Sequence, residues 1–120
     1  MNRAHHLLFA LALLLLSGCT GTYAGGPLDD DEPHAIVRPG VDVTIWAVDG
    51  QPTSTHSFSV MVAPGRRVLT LRVEHSMEDE TPKPHSRQRY VLQTEDGVAY
   101  HLERRDGSIG EIDVTTSRFR

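Results

Sequence analysis

A chain of 120 residues with 38% apolar content has room for one domain and one small core. That length excludes a large enzyme with a deep cleft, and no apolar run reaches the ~18–20 residues of a spanning helix, which excludes a multi-span membrane protein. Charge argues against nucleic acid: of 16 acidic residues four form the patch Asp29-Asp30-Asp31-Glu32, and the 12 basic ones form no stripe dense enough to follow a phosphate backbone.

Met1–Cys19 reads as a secretory signal. Arg3 and the free amine supply the positive start, and Leu7–Leu16 is a ten-residue apolar run followed by small residues. As a helix this run spans about 15 Å, half of a bilayer's hydrocarbon core. The segment ends in Leu16-Ser17-Gly18-Cys19, which resembles the lipobox of bacterial lipoproteins: leucine, two small residues, then cysteine. The resemblance implies that residues 1–18 are cleaved and that Cys19 is acylated through its sulfur and becomes the lipid-bearing N-terminus. It also implies an envelope location, in the outer membrane facing the periplasm, because Thr20 stands where an Asp would favour inner-membrane retention in the enteric sorting rule. Thioether formation would consume the single cysteine, leaving no thiol for a disulfide.

Residues 20–33 are rich in glycine, proline and acids and have no period of 2 or 3.6. Residues 19–33 are therefore expected to form a lipidated N-terminus and flexible linker, reaching roughly 20 Å, with the folded domain over 34–120. The acidic patch lacks the oxygen spacing of an EF-hand loop and reads as solvated linker.

Over 34–120 Val, Ile and Thr number 23 against eight for Ala and Leu, which favours sheet. Alternation places a short strand at Ala35–Arg38, then one with Val41, Val43, Ile45 and Ala47 on its core face, ending at Asp49-Gly50. Phe58, Val60 and Val62 line the next, and Leu69, Leu71 and Val73 the one after. Pro64-Gly65 suits the centre of a type II turn and predicts that these two pair as a hairpin. His75–Gln88 reads as a long exposed connection. Tyr90 and Leu92 mark a further strand. Asp96-Gly97 predicts a hairpin into Val98, Tyr100 and Leu102, and Asp106-Gly107 leads to a last strand around Ile112 and Val114. Six or seven short strands predict an all-β domain, a small antiparallel β-sandwich or open barrel. The Asp49-Gly50 turn, Pro64-Gly65 before Val68–Val73, and Gly97-Val98-Ala99-Tyr100 are similar in style to PEGA-type β-sandwich modules of envelope lipoproteins. In those the matching residues are structural, so the resemblance implies no catalytic residue.

Chemistry-bearing patterns are sparse. His75-Ser76-Met77 is the sharpest, since a His-x-Met pair suits copper(I), and it supports an alternative reading as a metal-binding lipoprotein using His75 and Met77. No Gly-x-Ser-x-Gly elbow or phosphate loop is present, and Glu95, Asp96, Asp106 and Asp113 sit at turn positions, so a small hydrolase is a further alternative only. The expectation is a non-enzymatic domain with no cofactor and no bound metal, whose partners are membrane lipid and an envelope protein. Trp46 is out of phase with Val43 and Ile45, and with Val48, Met61 and Val68 it is expected on an outward, partly apolar face. Such a face is covered either by the 75–88 connection or by a partner.

Overall fold

The computed structural model describes residues 20–55, 58–74, 85–108 and 110–120. Over these the chain is all-β. Its strands are β1 (Thr20–Gly21), β2 (Ala35–Pro39), β3 (Val43–Val48), β4 (Gln51–Pro52), β5 (Ser59–Val62), β6 (Gly65–Glu74), β7 (His85–Thr94), β8 (Val98–Arg104) and β9 (Ile112–Arg118). They form two open sheets, one in the order β1-β5-β2-β8-β9 and one in the order β4-β3-β6-β7. The core lies between them, with Val37, Val60, Val62 and Leu102 from the first meeting Ile45, Leu69, Leu71 and Val73 from the second. The pairing is not wholly antiparallel: β1 runs parallel to β5, and β2 parallel to β8.

Both predicted hairpins over the inter-sheet turns are corrected. β5 and β6 belong to different sheets, as do β7 and β8. Pro64-Gly65 and Asp96-Gly97 are therefore corners at which the chain changes layer. β5 is flanked by β1 on one side and β2 on the other, so it has no open edge to offer β6. The first corner is pinned by Thr94, whose hydroxyl lies 3.0 Å from the carbonyls of both Ala63 and Gly65. Gly65 still has φ 116°, a region costly for any residue with a Cβ. Gly65→Ala should destabilise the purified protein by about 1 kcal/mol or more and lower its melting temperature by several degrees. An unchanged melting curve would refute the strain.

A true two-residue hairpin turn is Asp49-Gly50, where Val48 pairs with Gln51 and the two turn residues have φ 52° and 79°. These are type I′ values, which suit the right-handed twist of the strands. Asp49 also reaches across to β6: its carboxylate accepts the Val68 N–H at 2.9 Å and pairs with Arg67 at 2.9 Å.

Register corrects several side-chain placements. Ile45 faces Leu71, but Ala47 faces Thr70 and Val48 faces Leu69, so Trp46 is an extra residue in a β-bulge. The bulge resets the phase. Val48, expected outward, is buried in the core, while Ala47, expected inward, is on the outer side. Val41 precedes β3 and is exposed, as is Phe58 before β5. Met61, expected on an open face, is buried: it pairs with Ile36 beneath a hollow that the segment after β1 helps to wall.

Two segments differ from expectation more broadly. The expected linker begins as structure, since Thr20–Gly21 forms β1 and Tyr23 belongs to the core. The expected connection His75–Gln88 is shorter than predicted. Residues 85–88 extend β7 along β6, in a ladder from Gly65–Thr94 to Glu74–His85. The polar alternation His85-Ser86-Arg87-Gln88 hid this strand end, because its inward residues are hydrophilic. Gln88 uses its amide to donate to the Gly110 carbonyl at 2.6 Å.

Candidate binding face

The outer side of the β3-β6-β7 layer gathers residues that are far apart in sequence. Outward positions alternate along β6 as Arg66, Val68, Thr70, Arg72 and Glu74, and along β7 as His85, Arg87, Arg89, Val91 and Gln93. The register sets Arg72 directly opposite Arg87 and Thr70 opposite Arg89, while Thr44 and Ala47 of β3 flank the same rows. Arg72, Arg87 and Arg89 thus form one cationic cluster. Among the described residues no carboxylate pairs with any of the three: Arg72 meets the ring nitrogen of His85 at 3.4 Å, and Arg87 lies over an aromatic ring. Like charges directly opposite in a ladder destabilise it by roughly 0.2–1 kcal/mol.

The aromatic ring is Trp46. Its bulged position sends the indole outward, where it is half-buried with the Arg87 guanidinium carbon 5.1 Å from the ring centroid. Cover for this side chain therefore includes a residue of β7. The remaining apolar part of the face is the Val68–Val91 pair, with Val91 53% exposed. The face combines an aromatic platform, exposed aliphatic surface and three guanidinium groups.

A concave feature lies on the outer side of the five-stranded sheet. This hollow of about 810 Å³ is lined by Thr20, Thr22, Leu28, Asp29, Asp30, His34, Ile36, Met61, Phe119 and Arg120. Its polar wall is held internally. Arg120 donates to the backbone carbonyls of Asp30 and Glu32 and pairs with Asp96, which also accepts the His34 N–H at 3.0 Å. The Arg120 guanidinium, helped by that backbone donor, holds the Asp96 carboxyl below the usual carboxylate range. The buried His34 ring is engaged too, with Nδ1 2.8 Å from the Glu32 carbonyl and the Phe119 ring 5.2 Å away.

Cys19, and the copper pair His75 and Met77, lie outside the described residues. His34, His85 and His101 do not converge: they sit before β2, at the start of β7 and on β8. No group of three or more His, Cys, Asp or Glu placed to hold a metal occurs among the described residues. The turn carboxylates singled out for hydrolysis are also dispersed, with Glu95 near Arg118 at 3.9 Å and Asp113 paired to Arg105 at 2.7 Å. Sequence reasoning missed the arginine cluster. Arg87-x-Arg89 carried half of the signal, but Arg72 joins it only through a long-range register. Comparison with known families, curated proteins and solved structures found no match to this chain.

Proposed function

We propose that the chain is a lipid-anchored envelope protein whose β-sandwich binds an anionic envelope component without catalysis. The signal segment 1–18, the Leu16-Ser17-Gly18-Cys19 pattern and acylation at Cys19 account for the anchor, and Thr20 favours the periplasmic side of an outer membrane. The observation that carries the binding reading is Arg72 opposite Arg87 with Arg89 beside them, unmatched by a carboxylate among the described residues. A sheet that keeps mutually repelling cations on one face gives up stability, and such departures from local consistency concentrate at working surfaces. Guanidinium groups recognise phosphates and carboxylates through paired, charge-assisted hydrogen bonds. The adjacent indole adds a flat apolar platform.

The sole tryptophan makes the test direct. Titration with inorganic polyphosphate should change Trp46 fluorescence saturably and with strong salt dependence. A double substitution, Arg87→Gln with Arg89→Gln, should raise the dissociation constant at least tenfold, since a hydrogen bond to a charged group is worth about 1.5–3 kcal/mol. The same variant loses the Arg87–Trp46 contact together with the like-charge repulsion, so its melting temperature should stay within a few degrees of the wild type. Wild-type protein that does not respond to polyphosphate, or a variant that binds equally well, would overturn the anionic reading.

A further inference from the structure

We infer that the sandwich is seated directly on the membrane that holds Cys19, with Phe58 and Leu28 entering the interface of a zwitterionic leaflet. This rests on the acylation of Cys19 proposed above. Its basis is the connection between anchor and fold. Cα atoms of adjacent residues are 3.8 Å apart, and the residue after Cys19 is already paired in β1, with Thr20 opposite Ser59 and Gly21 opposite Val60. A coil of fourteen residues would let the domain drift roughly 20 Å from the surface; a direct junction allows no such separation.

The register then says which side chains meet the lipid. Because β1 and β5 run parallel with Thr20 opposite Ser59, Phe58 lies at the end of the sheet where the peptide bond from Cys19 enters Thr20. Phe58 is 52% exposed there. Leu28, 79% exposed, borders the same hollow as Thr20 and Thr22. Single exposed apolar residues are ordinary on protein surfaces, but Phe58 adjoins the strand end that carries the proposed lipid and Leu28 shares a hollow with Thr20, the residue next to it, and aromatic and aliphatic side chains favour the headgroup boundary. Asp29 and Asp30 line the hollow as well, and carboxylates resist entry into hydrocarbon and are repelled by anionic headgroups. Contact is therefore shallow and selects a zwitterionic leaflet.

Acylation would leave Cys19 without a thiol, so an introduced cysteine can be labelled alone. Full-length Phe58→Cys, Leu28→Cys and, as a reference on the far sheet, Val91→Cys would be made in cells, labelled with an environment-sensitive fluorophore and placed in phosphatidylcholine–phosphatidylethanolamine vesicles. Iodide quenching at positions 58 and 28 should be at least threefold weaker than at 91. Fourteen Gly/Ser residues inserted between Cys19 and Thr20 should restore quenching while the acyl chains remain, as read by mass spectrometry of the N-terminal peptide. Equal quenching at all three positions on an acylated chain overturns the seating and leaves the anchor standing. Protection that survives the insertion also overturns it, since the short junction would not be what holds the domain down. A chain without acyl groups overturns both readings.

Discussion

Tyr23→Ala should destabilise the protein by about 3–5 kcal/mol, the range seen when a core aromatic is truncated. The ring is 6% exposed and is part of the cluster between the sheets. Its hydroxyl accepts the Ala63 N–H at 3.1 Å, forty residues along the chain, and its backbone bridges to Thr53. Thr53 in turn donates its hydroxyl to the Ile45 carbonyl at 2.8 Å. Tyr23 therefore ties β1, the β4 end and the β5–β6 corner to one point. Small domains have about 5–15 kcal/mol of total stability, so this single change removes a large share. Melting should fall by roughly 12 °C or more. Tyr23→Phe separates the two contributions: it keeps the ring and leaves the Ala63 N–H without its acceptor, which costs about 1–3 kcal/mol. Melting curves that match the wild type for both variants would return residues 20–33 to the status of a linker.

That segment shows where sequence signals ran out. Alternating hydrophobicity disclosed the core faces of β6 and β8, because Leu69, Leu71 and Val73, and Val98, Tyr100 and Leu102, repeat with period 2 over three turns of the pleat. A two-residue strand such as Thr20-Gly21 has no period to detect, and its existence depends on β5 offering an edge. Turn chemistry gave the bends and not the partners. Pro64-Gly65 and Asp96-Gly97 bend the chain with a glycine at positive φ, but only at Asp49-Gly50 do both residues have positive φ, as a type I′ hairpin requires, and the dipeptide Asp-Gly alone does not reveal the difference. The bulge at Trp46 was hidden for a related reason. Val43-Thr44-Ile45-Trp46-Ala47-Val48 reads as an unbroken alternation until β6 fixes Leu69 and Leu71 opposite it, and only then is one residue in excess. The candidate face inherits this limit: Trp46 was legible as an outward indole, whereas the arginines that surround it come from strands whose register is set by contacts distant in sequence.

Four residues before Tyr23, substitution should have the opposite kind of effect. Cys19→Ser replaces sulfur by oxygen, and a serine hydroxyl cannot form the thioether through which the proposed acylation would occur. Incorporation of a labelled fatty acid should fall to background. Attachment should weaken sharply, because each buried CH₂ contributes about 0.8 kcal/mol, so that one chain binds reversibly and two or three hold effectively without release. The uncut apolar run Leu7–Leu16 has about half the residues that a membrane-spanning segment needs, so it is a poor substitute. Stability should stay within about 0.5 kcal/mol of the wild type, since the change precedes β1 and removes nothing from the core described here. Fractionation of cells and thermal melting of the released protein read the two quantities separately. A Cys19→Ser chain that stays lipid-labelled and membrane-bound would overturn the anchor. One that loses the label and also unfolds would show that the acylated residue belongs to the fold. The expected pair of results, location lost with stability kept at Cys19 and stability lost at Tyr23, places the boundary between anchor and domain at the single peptide bond before Thr20.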